Sequence, residues 1–423
     1  MDSNPKSYKF MKEIIRKEPP DRKKWLIRGL LYLIAAIGFG VIAATAFAVA
    51  EPRISAVVNG TGKVDIPADE EPEPESGEDP AVQPEEDVTP SPTPTQSPQE
   101  ELTLEDYEDL YKEMLAVAET PKRSLVTVIG ITNQMDYFNQ NYENQQQITG
   151  VIIAEKGQNL FILTEYRIVE NVERIQVTFW DGSTVDAIYQ RHDANTGLTV
   201  LKVETAKLSE ITRDGLEIAP LGNSYGVEQG EPVLALGSPM GYSDSVAYGV
   251  VTSVTNKIST LDTEYTLLTT DILGSPEGSG ILINLQGEIV GIIAQNYSSD
   301  SKNIVTGLAI SQIKALIESL SNNEARPYVG IKGQDVTETL SERTGIPTGI
   351  LVNSVAVDSP AMFSGIMEFD VIVRIGDEKV QTLKQYQEQL SKCKPGDTIR
   401  VTAMRKGAEG YTEMEFDVTV GEI

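Results

Sequence analysis

The stretch that decides the fold is TDILGSPEGSGILIN, from Thr270 to Asn284. It places Ser279 between two glycines in a tight loop, and an apolar run follows the loop directly. A small-residue turn that opens into a strand can present a hydroxyl and two backbone N–H groups at one point. A serine hydrolase needs this arrangement for its nucleophile and its oxyanion hole. The stretch therefore makes Ser279 the candidate nucleophile.

Outward from this loop, apolar residues alternate with polar ones in short runs separated by Gly, Asn and Asp turns. Many short strands without intervening helices are typical of barrels or sandwiches. Two sets of six strands of similar length predict two β-barrels in tandem, closed by a helix over Ser311–Leu320. The predicted strands are Leu125–Thr132, Thr149–Ala154, Asn159–Thr164, Ile175–Trp180, Ser183–Tyr189, Leu198–Val203, Val233–Leu236, Ser245–Val254, Tyr265–Thr269, Gly280–Asn284, Glu288–Ala294 and Gly307–Ala309.

Before the first barrel, Thr103 and Asp106 form a capping-box pattern that predicts a helix to about Ala118. Pro121 is expected to end it, and the helix is expected to pack on the first barrel or to lead into it. Between the first two strands, Gln134 to Gln147 is rich in Gln and Asn and is interpreted as a loop.

The N-terminal residues 1–28 are polar and basic, and residues 29–50 carry no charge. About 20 apolar residues span a bilayer as a helix, so residues 29–50 predict one transmembrane helix. The basic flank predicts a cytoplasmic N-terminus and an extracytoplasmic location for everything after Glu51. Ala48-Val49-Ala50 leaves cleavage after Ala50 open as an alternative.

Residues 51–100 are rich in Pro, Glu, Asp, Ser and Thr and poor in large apolar residues. Such a segment cannot bury enough apolar surface to offset its ordering entropy, so it is predicted to be a disordered acidic linker. A specific acidic binding tail is the alternative. The whole chain of 423 residues carries a formal net charge of −28, which argues against nucleic acid as a partner.

Cys393 is the only cysteine, so no intrachain disulfide is possible. A reducing compartment would explain this, as would an extracytoplasmic bacterial protein that does not depend on disulfides, and the apolar N-terminal run favours the second explanation. The sequence contains no metal-ligand cluster, phosphate loop or nucleotide fingerprint. No cofactor and no metal are predicted.

The loop around Ser279 resembles the nucleophile loop of the HtrA/Do-type serine proteases, whose pattern is TDAxINPGNSGGPLxN. Glu277 replaces a family glycine, and one residue is missing after Ser279-Gly280. The resemblance spans both predicted barrels in the right order and implies a trypsin-like double β-barrel. It rests also on Phe161–Thr164 (family YILT), Asp193–Lys202 (DPRTDLAVLK), Pro220–Ser224 and Gly230–Gly241 (LGDSDxxxxGxxVxAIGNPxG).

The resemblance also implies that two of the three catalytic positions have changed. Arg167 stands at the position of the family's general base His, and Gly197 at the position of its Asp. A guanidinium stays protonated and has no acceptor, so Arg167 cannot take a proton from a hydroxyl. Triad residues act as a unit, so their joint loss predicts an inactive homologue.

By the same resemblance, the oxyanion-hole donors would be the N–H groups of Ser279 and Glu277. A Glu at the earlier position resists the backbone angles that Gly allows, and its carboxylate opposes developing negative charge. Ser279 can then be retained simply because the turn needs a small residue. A further hypothesis is that Arg167 binds the carboxylate of Glu277 across the altered site. Three residues are candidate substitutes for the missing base: His192, Glu165 and Asp193. For His192, the alternative is an ordinary solvated residue in a turn.

Residues 326–423 resemble the PDZ domains that are attached to HtrA-type proteases. The supporting segments include Asp358–Ile366 and Phe369–Asp377. A PDZ module adds an extended peptide to a sheet edge and holds its carboxylate with loop N–H groups. The resemblance assigns that loop and strand to Tyr328, Val329, Gly330 and Ile331, and the helical wall of the groove to Leu383, Tyr386 and Leu390, although a purely structural core is the alternative for these apolar residues.

The predicted fold class is thus all-β, with a trypsin-like double β-barrel over 101–322 and a PDZ domain over 326–423. A transmembrane helix and a disordered acidic linker precede them. The function expected is a membrane-anchored, extracytoplasmic HtrA-like protein, proteolytically inactive, that binds unfolded or C-terminal peptide segments in protein quality control or envelope stress. An active endopeptidase with a non-standard site is the alternative. The family resemblance implies a possible homotrimer.

Overall fold

The computed structural model describes residues 63–71, 103–135, 141–298 and 303–423. The predicted cytoplasmic tail, residues 1–28, and the predicted transmembrane helix, residues 29–50, lie outside these ranges. Among the residues that the structure describes, no helix has the length and apolar character needed to cross a membrane.

The first barrel is closed and antiparallel, with the strand order β1-β2-β3-β6-β5-β4. All six predicted strands are present. The predicted loop over 134–147 is wrong in large part, because β1 and β2 continue as a paired hairpin in which Met135 lies opposite Asn141. The backbone of this extension is paired from Gln147 of β2, opposite Ile129, to Asn141. The strands are β1 Leu125–Met135, β2 Asn141–Lys156, β3 Asn159–Glu165, β4 Arg174–Thr178, β5 Thr184–His192 and β6 Leu198–Glu204.

The second barrel is also closed, with the order β10-β11-β12-β9-β8-β7. The short helix α3, Glu210–Gly215, lies between the barrels in sequence, and the predicted closing helix is α4, Ile310–Ser321. The buried apolar residues of α4 recur at helical spacing: Ile310, Ile313, Leu316, Ile317 and Leu320. The strands are β7 Pro232–Ser238, β8 Ser245–Thr260, β9 Thr263–Leu273, β10 Ser279–Ile283, β11 Ile289–Ile293 and β12 Ile304–Ala309.

Three apolar clusters hold the two barrels. One fills the first barrel and includes Val128, Ile162 and Leu201, and another fills the second barrel. The third and largest lies between the barrels and α4, and it includes Leu163 and Ile281. Because alternate strand residues face opposite sides, β3 and β10 supply the barrel interiors and the inter-barrel core at once. The loop that precedes β10 is therefore held against the first barrel.

Helix α1, Leu104–Ala116, begins at the predicted capping box of Thr103 and Asp106. It ends before a four-residue helix α2, Glu119–Lys122, which contains Pro121. None of the residues of α1 is buried, and the ring of Tyr111 meets Tyr248 of the second barrel at a centroid distance of 6.0 Å. This contact is with the second barrel, whereas the chain leads from α1 through α2 into β1 of the first barrel, as the alternative expectation had it.

Residues 63–71 correct one part of the predicted disordered linker over 51–100, whose other residues lie outside the described ranges. Val64 is buried against α4, where its backbone exchanges two hydrogen bonds with the side chain of Asn322. Asp69 accepts hydrogen bonds from Lys314 Nζ at 2.7 Å and from Ser311 Oγ. This segment, called the strap below, is ordered by partners that the composition of the linker does not reveal.

The third domain contains a sheet ordered β14-β15-β16-β18-β19, with β17 beside β16, and a separate pair β13-β20. Its apolar core is independent of the barrels' clusters. Its elements are β13 Pro327–Tyr328, β14 Ile331–Val336, α5 Glu338–Thr344, β15 Gly349–Val355, α6 Pro360–Ser364, β16 Val371–Ile375, β17 Glu378–Lys379, α7 Leu383–Ser391, β18 Thr398–Gly407, β19 Gly410–Thr419 and β20 Gly421–Glu422.

Two ionic contacts tie this domain to the first barrel. Arg326 donates to the buried carboxylate of Asp193 at 2.9 Å, and Arg191 pairs with Glu422 at 3.0 Å. The Asp193 carboxylate is almost fully buried, so removing Arg326 would leave an uncompensated charge. The domain is thus fixed near the end of β5.

Candidate active site and peptide groove

Ser279 begins strand β10 instead of lying in the loop before it. It pairs with Ser238 of β7, and it is only 2% exposed. Its Oγ accepts a hydrogen bond of 3.1 Å from the backbone N–H of Thr149 in β2, which is its only hydrogen-bond partner among the described residues. Ser279 is therefore a buried strand residue, and the expectation of a hydroxyl presented at the tip of a turn is wrong.

The loop before Ser279 does not form the predicted pair of oxyanion donors. The N–H of Glu277 donates to Ser275 Oγ at 3.2 Å, and the N–H of Gly278 donates to the Ser275 carbonyl at 2.8 Å. Gly278 is packed so closely that a Cβ there would meet the Pro239 carbonyl oxygen at 2.3 Å. The loop satisfies its own N–H groups, so the donor expected from Glu277 is already used within the turn.

Arg167 lies at the centre of the altered site, in a single 3₁₀ turn, Tyr166–Ile168, that follows β3. Its Nε donates to Glu165 Oε2 at 2.7 Å, and its Nη1 donates to Glu277 Oε2 at 2.6 Å. The hypothesis that Arg167 binds Glu277 is confirmed. Burial disfavours the charge on Arg167, but the two carboxylates outweigh this effect and raise its pKa. The guanidinium therefore bridges the two barrels as a permanent cation.

Glu165 is a carboxylate near Ser279 with one buried oxygen that makes no hydrogen bond. Its Oε1 is buried without a hydrogen-bond partner, and burial raises the pKa of this carboxyl although Arg167 opposes the shift. Glu165 and Ser279 line a void of ≈10 Å³. That volume is at the lower limit for one water molecule, so no peptide group fits between them.

The other two candidate bases are engaged elsewhere. The ring of His192 stacks on Tyr166 at a centroid distance of 3.8 Å, and its Nδ1 lies 2.6 Å from Tyr189 Oη. The carboxylate of Asp193 binds Thr196 and Arg326. Neither residue has a hydrogen bond with Ser279.

Gly197 is close to the Arg167 turn, as the family positions imply. Its carbonyl accepts a hydrogen bond of 2.7 Å from the N–H of Tyr166. Its φ of +70° is a conformation that Gly adopts without cost, and a Cβ there would meet no atom within 4 Å. Gly197 therefore offers no side chain at the position where the family has its Asp.

The predicted carboxylate-binding loop of the third domain is formed. The N–H groups of Val329, Gly330 and Ile331 converge on one point, but Tyr328 belongs to β13 and contributes no donor. The predicted groove residues of α7 share one buried face of that helix: Leu383, Tyr386 and Leu390. The structure thus brings all seven of these residues to one end of the domain.

The point on which the three N–H groups converge is occupied by Asp262, which the sequence analysis did not single out. Its carboxylate accepts from Val329 at 2.8 Å, from Gly330 at 2.7 Å and from Ile331 at 3.2 Å. The phenol of Tyr386 donates to it at 2.8 Å. Burial raises the pKa of Asp262, and these four donors oppose the shift. An Asp in a hairpin turn is so common that the sequence offers no signal for this role.

Comparison with known proteins agrees with both parts of this description. Residues 148–292 match the trypsin-like peptidase domain, and residues 327–416 match the PDZ domain. The chain is 27% identical to the serine protease Do-like HtrA of Bacillus subtilis (strain 168), over 69% of this chain and 70% of that protein. It is 28% identical to a probable periplasmic serine endoprotease, DegP-like, of Halomonas elongata, over 65% of this chain and 56% of that protein.

A solved structure of the HtrA-type protease AlgW with a decapeptide has the same fold. It superposes with a TM-score of 0.56 at 21% sequence identity, and the match covers 73% of this chain and 98% of that one. The chain spans little more than half the length of the DegP-like relative. The chain therefore joins a trypsin-like peptidase domain to a PDZ domain, and its homologues are the HtrA- and DegP-type serine proteases.

Proposed function

We propose that this protein is a non-proteolytic member of the HtrA type that binds peptide segments through its PDZ domain. The observation that carries the proposal is the state of Ser279, whose buried hydroxyl accepts the N–H of Thr149. A nucleophile needs an adjacent base and access to the scissile carbonyl. Ser279 has neither among its described neighbours.

The environment of the lost base supports the same conclusion. In the family, an imidazole must accept the serine proton and then return it to the leaving group. Arg167 at that position accepts no proton, and it is fixed by Glu165 and Glu277. The Arg167 bridge replaces a catalytic arrangement with a structural one.

A membrane anchor belongs to the proposal. Residues 29–50 carry no charge and follow a basic segment, which favours a cytoplasmic N-terminus with the barrels and the PDZ domain on the other side. A protein tethered in this way, with a peptide-binding domain at its far end, is suited to sensing unfolded segments or exposed chain termini near the membrane.

A second candidate function rests on Glu165. An unpartnered buried oxygen and a raised pKa are features that a catalytic carboxyl can have, and Glu165 shares a void with Ser279. An endopeptidase that uses Glu165 would need Ser279 to leave the Thr149 N–H and the void to open. The small volume of the void, ≈10 Å³, favours the binding function.

The deciding experiment compares the full-length chain with Ser279→Ala and Glu165→Gln variants in casein degradation and fluorophosphonate labelling. We expect no cleavage and no label on any of the three proteins. Cleavage by the wild type that is lost in both variants would replace the proposal with the Glu165-dependent protease. Cleavage lost only in Ser279→Ala would leave a protease with another base.

A further inference from the structure

The arm of the second barrel that carries Asp262 reaches into the PDZ domain. Strands β8 and β9 are joined by a two-residue turn, Leu261-Asp262, with Thr260 paired to Thr263 across it. Asp262 has a φ of 61°, a left-handed conformation that Asp tolerates better than most residues, and it is 6% exposed. The turn therefore presents one carboxylate at the tip of a long hairpin.

Asp262 makes the same hydrogen bonds with the PDZ loop that the C-terminal residue of a bound peptide would make. The carboxylate accepts three loop N–H groups, and the N–H of the same residue donates to the Ile331 carbonyl at 2.7 Å. A peptide that ends on this loop offers the same two groups, a terminal carboxylate and the N–H of its last residue. Gly330 has a φ of +95°, and a Cβ there would meet Ser359 Cβ at 2.4 Å, so the loop keeps its donors turned inward.

The same hairpin also covers the groove next to the loop. Ser259 Oγ donates to the Gly333 carbonyl of β14 at 3.0 Å, and Thr263 Oγ1 donates to Gln387 Oε1 of α7 at 2.9 Å. The hairpin thus lies between β14 and α7, where an added peptide strand would lie. We propose that Asp262 is an internal ligand of the PDZ loop, and that a peptide with a free C-terminal carboxylate binds by displacing the hairpin tip.

This proposal rests on the proposed peptide-binding function and adds its regulation. Displacement does not require the PDZ domain to leave the barrels, because Arg326 and Arg191 hold it to the first barrel independently. The pairing of β8 with β9 shifts register between Ser253 and Asn256. Such an irregularity bends a hairpin and separates its outer arm from the barrel, so the tip can move while the barrel stays closed. A peptide can bind only those molecules in which the hairpin tip has left the groove. Its apparent affinity is therefore the intrinsic affinity multiplied by the fraction of such molecules.

The test uses the full-length chain in detergent and two pools of fluorescein-labelled decapeptides that end in leucine. One pool has a free C-terminal carboxylate and the other a C-terminal amide, and binding is followed by fluorescence anisotropy. The variant is Asp262→Gly, because Gly removes the carboxylate and adopts a positive φ without strain. Asp262→Asn is a second variant that keeps the side-chain shape, should the first fail to fold. Glu264→Gln is the matched control, because Glu264 pairs with Lys257 on the same arm and does not touch the loop.

We expect the free-carboxylate pool to bind Asp262→Gly about tenfold or more tightly than the wild type, Glu264→Gln to match the wild type, and the amide pool to bind none of them. Equal, carboxylate-dependent binding by wild type and Asp262→Gly would overturn the internal-ligand proposal and leave the peptide-binding function standing. Absence of binding by every protein would overturn the peptide-binding function and with it the role of a peptide as the competing ligand.

Amide hydrogen exchange gives a readout that needs no ligand. The N–H groups of Val329, Gly330 and Ile331 are hydrogen-bonded to Asp262, so they are expected to exchange slowly in the wild type and in Glu264→Gln, and faster in Asp262→Gly. Equally fast exchange in wild type and Asp262→Gly would show that Asp262 does not hold the loop, and would overturn the proposal whatever the peptide result.

Discussion

The backbone N–H of Thr149 donates a hydrogen bond of 3.1 Å to the hydroxyl of Ser279, and this bond joins β2 of the first barrel to β10 of the second. A serine that appears in a nucleophile motif thus acts as a structural acceptor between two barrels. The bond predicts how the protein responds when the hydroxyl is removed.

Replacing Ser279 with Ala is expected to lower stability. The Thr149 N–H would lose its acceptor, and an unsatisfied buried donor costs about 1–3 kcal/mol of unfolding free energy. Urea unfolding of the variant beside the wild type measures the change. Ser391→Ala is the control, because Ser391 is exposed on α7 and its loss should change stability by less than about 0.5 kcal/mol. Unchanged stability in Ser279→Ala would mean that Ser279 does not hold the barrels together.

Restoring the family residues is expected not to restore proteolysis. In an Arg167→His, Gly197→Asp double variant, the added Asp has open space at its Cβ but takes a φ of +70°, which Asp tolerates better than most residues. The hydroxyl of Ser279 would still be buried, and the N–H of Glu277 would still be bound to Ser275. Residual catalysis in triad enzymes depends on the oxyanion hole, which is not formed here. Casein cleavage and fluorophosphonate labelling measure the outcome. The background is measured with a triple variant that carries Ser279→Ala in addition to the two other substitutions.

Cleavage by this double variant above the background of the triple variant would contradict the prediction. It would mean that Arg167, through its bond to Glu277, holds the loop in its present form, and that breaking the bond releases the nucleophile. The loop's own hydrogen bonds, from Glu277 and Gly278 to Ser275, argue against such a release.

Replacing Glu165 with Gln is expected to change how stability depends on pH. Burial raises the pKa of Glu165 in the folded protein above its unfolded value, despite the opposing effect of Arg167. A carboxyl with a raised folded pKa stabilises the protein fully at low pH, and this contribution is lost as the pH rises through the folded pKa. The variant, which does not titrate at this position, should therefore gain stability relative to the wild type as the pH rises from acid to neutral.

Urea midpoints of the wild type and Glu165→Gln, measured from acid to neutral pH, test this expectation. A difference between the two proteins that stays constant with pH would contradict a raised pKa at Glu165. If the variant instead loses stability relative to the wild type as the pH rises, the ion pair with Arg167 outweighs burial and the carboxylate of Glu165 is held charged.

Much of the fold was predictable because it depends on local patterns. Alternating apolar residues and turn residues mark the strands of both barrels. The family resemblance also places Arg167 and Gly197 at the positions of the catalytic His and Asp, which predicts the loss of the general base. The burial of Ser279 was not predictable, since it depends on where β10 of one barrel meets β2 of the other. The role of Asp262 was not predictable either, because its partners at Val329 to Ile331 lie in another domain and an Asp in a turn carries no signal of its target.

The ordered structure of the strap, residues 63–71, was not predictable from the sequence either. Composition placed it in a disordered linker, but Asp69 is bound to Lys314, which is 5% exposed on α4. Asp69→Asn would leave the ammonium of Lys314 buried without a counter-charge. Removing one partner of a buried pair costs about 3 kcal/mol or more, so we expect a loss near that size in unfolding free energy. Asp65→Asn is the control, because Asp65 is exposed on the same segment and should change stability by less than about 0.5 kcal/mol.

Limited trypsin digestion distinguishes local release of the strap from α4 from unfolding of the whole protein. Lys63 precedes the buried Val64 and pairs with Glu324, so the bound strap shields the bond after Lys63. In Asp69→Asn, cleavage after Lys63 should become faster at temperatures where the barrels remain folded, because local opening exposes the strap before the core. Unchanged cleavage together with unchanged urea stability would mean that Lys314 finds another partner or water, and that Val64 alone fastens the strap to α4.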